Sequence, residues 1–506
     1  MLEHIAAGFI HVFEPWNLVF LFIGVGCGII IGALPGLTAT MGLALLVPFT
    51  FTMEPAMGLI MLGGIYVGSM YGDAIPAVLI NTPGTPAAIA TTFDGFPLSQ
   101  KGMAQHALIA AAFASSFGSI IANIVLAAAA PPLAEASLKF GPPEYFWLGV
   151  FGLTIIATLA AESLIKGLLA GALGLLLSAV GMSPIGGDIR LTFGSTEMQA
   201  GIELIVALIG FFCLPEILSN LIGKRRAAYT AEKIVPKFSV IADVISSLLK
   251  RPGLMLRSSA IGSIIGVAPG AGGNIASLVS YNEAVRWDRH PEEFGKGTIK
   301  GVAASEAANS AMAPGSLVPL LTLGIPGSPP AAVILGALML HGMRPGHELF
   351  STHAGITYAF IMSMLVAAFM VTIIGSFGSF VYARILNIPS RYLAPAILFM
   401  TILGSYSIRN NIIDIWIMFL FGVVGFVSNR LKFHPAPIVL GMILGPFVEE
   451  GLVQSMLLGK AAGGVLKYMT LRPISITLIA MCVLSALWPV YASWRGKKRR
   501  QLDEKT

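Results

Sequence analysis

The 506-residue chain is 56% hydrophobic and 11% charged, where a soluble domain carries about 25% charged residues, and its mean hydropathy is +0.82. That balance excludes an ordinary soluble protein. The net charge of +6 sits largely in Lys/Arg clusters at the edges of apolar runs, which is a topology signal and not a nucleic-acid surface. Cys27, Cys213 and Cys482 each lie in an apolar run without CxxC spacing and read as buried small hydrophobes.

Residues 1–15 carry Glu3 and Glu14 but no Lys or Arg. They lack the basic start of a cleavable signal, so the apolar run from Trp16 reads as a first membrane helix that stays, with the N-terminus outside. Further apolar segments fall near 38–52, 56–72, 105–130, 143–160, 163–181 and 201–222, then near 257–268, 272–281, 313–342, 355–383, 391–404, 411–428, 436–447 and 472–492. Runs 107–134, 360–382 and 474–492 hold no Asp, Glu, Lys or Arg. Because a helix needs roughly 20 apolar residues to cross the hydrocarbon, this predicts an all-α polytopic membrane protein of roughly 10–14 membrane segments. A β-barrel would show short alternating segments instead. Several segments are short and interrupted by Gly and Pro, which suggests broken helices or re-entrant hairpins; such backbone survives at membrane depth only inside protein or beside a wet cavity.

The polar stretch 223–256 carries Lys224, Arg225, Arg226, Lys233, Lys237, Lys250 and Arg251, and the tail 493–506 contains "RGKKRR". Both read as cytoplasmic by the positive-inside bias, a linker and a tail flanking membrane repeats at 1–222 and 257–492. The repeats are legible as matched blocks. "GALPG" at 32–36 answers "GVAPG" at 266–270, and "GDAIPAVLINTPGTPAA" at 72–88 answers "GSLVPLLTLGIPGSPPA" at 315–331. The offsets are 234 and 243 residues, and the hydrophilic stretch 282–300 is the place for the difference.

Matched Gly/Pro-interrupted segments in two halves point to a transporter's substrate site. Proline ends or breaks a helix, and glycine lets backbone turn and a ligand approach. A freed helix N-terminus offers N–H donors to an anion, and freed carbonyls suit a hard cation such as Na⁺. Gly32, Pro35, Pro83, Pro86, Pro269, Pro326 and Pro329 would shape the backbone. Gly36, Thr38, Thr40, Asn81, Thr82, Gly84, Thr85, Gly270, Asn274, Glu306, Asn309, Gly327 and Ser328 would bind substrate or ion. Small neutral polar groups of this kind hold a carboxylate without the cost of a buried arginine. Gly, Ser and Thr also enrich plain helix–helix contacts, and "GLLAGALG" at 167–174 reads as that. Asp73, and Glu306 opening "EAANS" with Asn309, either mark an ion path or sit at the water interface. The eight histidines show no metal spacing, and no HExxH, GxxxxGK[ST] or GxSxG is present, which argues against an enzyme.

At these blocks the chain resembles the large membrane subunit of the tripartite tricarboxylate transporters, the TctA family. The resemblance rests on "GALPGLTATMGLALLVPFTF" (32–51), "GSMYGDAIPAVLINTPGTPAAIATTFDGFPLSQKG" (68–102), "GVAPGAGGNIASLVSYNEAV" (266–285) and "GVAASEAANSAMAPGSLVPLLTLGIPGSPPAAVILGALMLHGMRPG" (301–346). It implies a secondary transporter of the bacterial inner membrane that imports organic carboxylates. It also implies no cofactor, Na⁺ as coupling ion, a small TctB-like membrane subunit and a periplasmic TctC-like solute-binding protein. The signature turns carried over are Gly32, Pro35, Gly36, Asn81 to Pro86, Pro269, Gly270, Asn274, Glu306, Asn309, Pro326, Gly327 and Ser328. The chain departs from the family's pattern at Asp73, where a second glycine is common, and at Ser310, where a second asparagine is common. The expected arrangement is two pseudo-symmetric repeats of inverted topology with their broken helices meeting near mid-membrane.

Overall fold

The structure, a computed structural model, describes residues 2–34, 36–160, 164–183, 185–222, 237–270, 272–378, 381, 385–386, 390–431 and 433–487. Pro35, residues 223–236 of the basic linker and the tail 493–506 lie outside the described residues. The rest is almost wholly helical, because in hydrocarbon each backbone N–H and C=O must find its partner within the segment. In chain order the helices are α1 (Leu2–Val12), α2 (Pro15–Ala33), α3 (Ala39–Thr50), α4 (Pro55–Gly72), α5 (Ala74–Ile80), α6 (Ile89–Gln100), α7 (Ala104–Ser137), α8 (Pro142–Ala160), α9 (Leu164–Ser178), α10 (Leu204–Leu208) and α11 (Leu214–Ile222). They continue as α12 (Phe238–Leu249), α13 (Pro252–Val267), α14 (Gly272–Trp287), α15 (Ile299–Leu323), α16 (Pro329–Leu340), α17 (His347–Ser351), α18 (Ala354–Phe377), α19 (Ser390–Arg409), α20 (Ile412–Arg430), α21 (Pro435–Ala461), α22 (Val465–Thr470) and α23 (Pro473–Leu487). Proline opens α2, α4, α13, α16 and α21, where its missing N–H costs nothing.

Seven of the described helices are long and apolar enough to cross a membrane, and seven shorter ones are apolar. The protein is an all-α polytopic membrane protein. Three details differ from the hydropathy reading. The short α1, with Glu3, His4 and His11, precedes the first span. The apolar run 313–342 is two helices, divided where Gly324 turns left-handed (φ 74°) ahead of Pro326. The polar stretch begins later than expected, since α14 carries helix through Trp287 and only 288–298 is irregular or short 3₁₀ turn.

The chain folds into two compact units, each drawn from both sides of the linker. The first takes Met1–Glu135 and Phe212–Ile415, the second Ala136–Phe211 and Trp416–Thr506. In the second unit, α21 packs on α8 and α9, with a Cβ at Gly441 blocked by the Gly174 Cα at 2.9 Å. There Glu144, fully buried, accepts from Ser475 Oγ at 2.8 Å and faces Arg472 Nε at 3.1 Å.

The first unit is built from two helix pairs that use glycine alike. In α2 and α4, a Cβ at Gly32 would stand 2.5 Å from the Ser69 carbonyl oxygen; in α13 and α15, one at Gly266 would stand 2.5 Å from that of Met312. Gly28 and Gly262, one turn earlier, lie as tightly on the backbone of Ile65 and Ala308. Close backbone approach of this kind is the usual reason for small residues between membrane helices. The positions are the sequence pairs again, Gly32 with Gly266 and Ser69 with Met312, at the same offsets of 234 and 243. The two halves part at one point: the first breaks at Asp73, between α4 and α5, whereas α15 runs through the equivalent Ser316 unbroken.

Residues 288–298 are tied down at both ends. Asp94 of α6 accepts from the Gly297 and Thr298 amides (2.8 and 3.0 Å) and from the Tyr281 hydroxyl (2.9 Å). Lys300 pairs with Asp288 (2.9 Å) and Glu293 (2.8 Å), and its ammonium holds the Glu293 carboxyl below the usual carboxylate range.

Candidate functional site

The site grows from the break after α4. The α4–α5 junction presents Asp73, and α5 ends where Asn81 adopts the left-handed conformation (φ 52°) that starts the "NTPGTP" turn. The turn folds back on the break. Gly84 donates its amide to the Asp73 carbonyl (3.3 Å), and Thr85 Oγ1 donates to Asp73 Oδ2 (2.5 Å). A Cβ at Gly84 would meet the Gly32 carbonyl at 2.7 Å and Asp73 Cα at 2.9 Å, so only glycine fits. Thr85 also caps the 3₁₀ turn Pro86–Ala88 that leads into α6.

From the other half, α15 delivers Glu306 and Asn309, one turn apart. Asn309 Nδ2 lies 3.2 Å from the Met70 carbonyl and 3.3 and 3.4 Å from the two Asp73 oxygens. Glu306 accepts from Thr91 Oγ1 of α6 and from Ser115 Oγ of α7 (3.2 Å). Asp73 and Glu306 are both 0% exposed, and among the described residues neither forms an ion pair with Lys, Arg or His. Two carboxylates in this setting, held only by hydroxyls and an amide, are too costly to stay jointly ionised. The arrangement is suited to taking up a proton or a small cation.

The second half repeats the two backbone bonds that close this turn, with different side-chain chemistry. Gly327 donates to the Ser316 carbonyl at 3.2 Å as Gly84 does to that of Asp73, and Ile325 to Pro319 at 3.3 Å as Thr82 to Pro76 at 3.2 Å. Gly324 takes the left-handed place of Asn81, and Ser328 caps α16 as Thr85 caps its turn. Asp73 becomes Ser316, and the residue that crosses from the opposite half, Asn309, becomes Tyr66. The Tyr66 hydroxyl lies 3.0 Å from Ser316 Oγ and 2.9 Å from Ser328 Oγ, and those two are 3.0 Å apart. The result is a closed, neutral triad. Tyr66→Phe removes one corner and leaves the serines paired with each other, so we expect a loss of about 1 kcal/mol in thermal unfolding with transport largely retained.

The TctA family model, described as the tripartite tricarboxylate transporter TctA family, matches residues 18–440. The chain belongs to the TctA family. It is 38% identical over 500 residues, 98% of both chains, to an uncharacterized 52.8 kDa protein of the TAR-I ttuC′ 3′ region of Agrobacterium vitis. It is also 38% identical over 239 residues, 47% of this chain and 98% of the relative, to an uncharacterized protein of the TAR-II ttuC′ 3′ region of the same organism. No solved structure matches. TctA proteins are large subunits of tripartite transporters, so this one is a multi-pass membrane transporter subunit and not an enzyme.

The structure gathers Gly32, Gly84, Thr85, Asp73, Asn309 and Glu306 of this TctA chain into one cluster, and Gly327 and Ser328 into its counterpart. Gly36 (φ 95°) and Gly270 (φ 79°) turn the backbone ahead of α3 and α14, and the Gly270 amide donates to the Gly327 carbonyl at 3.0 Å. Thr38 is spent locally, capping α3 through the Met41 amide (3.3 Å). Thr40 is buried within α3, and Thr82 Oγ1 turns back to the Ile80 carbonyl at 3.2 Å. Asn81 and Pro86 are exposed, as is Asn274 in the first turn of α14. Pro83 is half-buried, Pro269 and Pro326 are buried, and Pro329 opens α16. Sequence reasoning passed over Tyr66, Thr91, Ser115 and Ser316. Ser316 was available as the residue aligned with Asp73, and Tyr66 stands 243 positions before Asn309.

Proposed function

We propose that this TctA-family protein imports organic carboxylates across the bacterial inner membrane, coupled to a cation gradient, with Na⁺ as the ion and Asp73 and Glu306 as the carboxylates that carry it. The observation behind this reading is the pair of fully buried acids without a cationic partner among the described residues, Asp73 bonded to Thr85 of the "NTPGTP" turn and Glu306 to Thr91. A cation held there offsets both its ligands' charge and that of an incoming anion, which makes loading of the two jointly favourable. A TctB-like subunit accompanies the chain, and a TctC-like periplasmic protein captures substrate and raises its local concentration. The two halves act as inverted repeats, and the loaded core moves in an elevator-like stroke. The basic linker and tail face the cytoplasm.

The test is reconstitution of the chain with its two partners in proteoliposomes. Uptake of a radiolabelled carboxylate is expected to require both an inward Na⁺ gradient and added binding protein. Uptake that ignores the gradient overturns the coupling, and uptake that ignores the binding protein favours a stand-alone permease.

A further inference from the structure

Helix α12 carries two apolar faces. Ile241, Val244 and Leu248 are buried within the first unit. Beside them Phe238, Ala242, Ile245 and Leu249 recur at i, i+4, i+7 and i+11 and form a second stripe. That stripe lines a groove of about 560 Å³, whose other wall is the last part of α18, with Thr372, Ile373, Ser376 and Phe377. The apolar rim is uncovered, since Phe238, Leu249, Ile373 and Phe377 are all exposed.

One end of the groove is cationic. Lys250, directly after α12, lines it and is exposed, and its ammonium has no ion-pair or hydrogen-bond partner among the described residues. The next residue, Arg251, is by contrast bonded to Ser247 Oγ at 2.9 Å. The surrounding sequence has the same sign: between 223 and 257, eight Lys or Arg stand against only Glu232 and Asp243. The groove also holds a polar group with nothing to bond. Ser376 lines it and is buried, and its Oγ has no hydrogen-bond partner. Elsewhere in the same helix Ser363 turns back to the Phe360 carbonyl at 2.7 Å, the ordinary fate of such a hydroxyl. A buried hydroxyl left without a partner is costly unless a ligand supplies one.

We propose that this groove binds an anionic phospholipid, with an acyl chain along the α12 stripe, the phosphate on Lys250 and the Ser376 hydroxyl donating to an ester oxygen. An amphipathic helix with basic flanks lies in the membrane interface, where its apolar face meets acyl chains and its charged end meets headgroups. An aliphatic groove with an unpaired cation at its end matches a molecule that has a long apolar part and one negative end. A free phosphate lacks the apolar part. A zwitterionic lipid brings its own cation to Lys250. An apolar helix of a second protein would fill the groove but cover Lys250 without pairing it, at a desolvation cost. None of the groove's residues belongs to the Asp73–Glu306 cluster, so the site is independent of the ion and the substrate.

The experiment is native mass spectrometry of the purified full-length chain released from detergent micelles, titrated with phosphatidylglycerol or with phosphatidylethanolamine of the same acyl chains. Phosphatidylglycerol is expected to bind about fivefold more tightly, in line with one interfacial lysine. Lys250→Gln is expected to erase that preference, while Lys139→Gln, at an exposed lysine after α7, keeps it. Ala242→Trp, which fills the groove, is expected to remove this binding event for both lipids. Equal affinities in the wild-type chain overturn the proposal, as does a preference that Lys250→Gln leaves intact or that Lys139→Gln removes equally. Unchanged lipid binding by Ala242→Trp overturns it too; if that variant does not fold, the wild-type pair and the two lysine variants decide. Loss of a co-purifying small membrane protein from Ala242→Trp, with lipid binding unmoved, assigns the groove to a protein helix and overturns the lipid reading.

Discussion

Asp73→Asn is expected to reduce gradient-driven uptake by about a hundredfold, equivalent to about 2.7 kcal/mol, while the protein still accumulates in the membrane as a folded species. The substitution keeps shape and hydrogen-bonding reach, so the Thr85 and Asn309 contacts have partners to re-form with, and the break between α4 and α5 is undisturbed. What it removes is the charge at the point where the turn, the helix break and the opposite half converge. Ser316→Ala at the equivalent position of the second half is the matched control. Ser316 belongs to a triad of neutral hydroxyls, and its loss is expected to change uptake by roughly twofold at most, in line with a single lost hydroxyl contact. The measurement is the initial rate of labelled carboxylate uptake under an imposed Na⁺ gradient, normalised to protein in the vesicles. Near-normal uptake by Asp73→Asn, or equal damage from both substitutions, removes Asp73 from the coupling mechanism.

The contrast between Asp73 and Ser316 also shows which parts of this protein a sequence can disclose. Membrane helices and the matched turns were legible because hydropathy and Gly/Pro spacing are local signals, and the turns close on backbone bonds that the matched prolines and glycines dictate. Thr82 to Pro76 and Ile325 to Pro319 are the same bond made by unlike residues. The chemistry of the site was legible only in part. Asp73, Glu306 and Asn309 stood out as polar residues in apolar sequence, whereas Thr91 and Ser115 looked like ordinary small helix residues. Their contact with Glu306 joins positions 215 and 191 residues apart, which no local pattern records. Thr38 and Asn274 stood out in the sequence as well. Both have the right chemistry at the right turn, but the Thr38 hydroxyl is consumed by its own helix and Asn274 is exposed. A hydroxyl beside a helix start is as good a cap as it is a ligand, and only the fold decides which.

Gly32→Val is expected to destabilise the first unit by about 3 kcal/mol, and Gly26→Val in the same helix is the control that isolates the cause. The two glycines differ by six positions on α2, so length, hydropathy and helix propensity change alike. A side chain at Gly26 meets nothing within 4 Å. One at Gly32 meets the Ser69 carbonyl oxygen at 2.5 Å and the Asp73 amide nitrogen at 2.9 Å, which are backbone atoms with no rotamer to yield. The helices must part, and with them the contact of the Gly32 carbonyl with Gly84 that seats the "NTPGTP" turn over Asp73. The same contrast holds in the second half, where Gly266 abuts Met312 and Ser316 while Gly253 faces open space. Unfolding in a denaturing-detergent titration is expected to place Gly26→Val and Gly253→Val close to the parent, with Gly32→Val and Gly266→Val shifted strongly or absent from the membrane fraction. Because Gly32 supports the turn over Asp73 and Gly266 the neutral one, a surviving Gly32 variant is expected to lose uptake out of proportion to its stability, and a surviving Gly266 variant only in proportion to it. If all four variants unfold alike, close glycine packing does not set the stability of this fold.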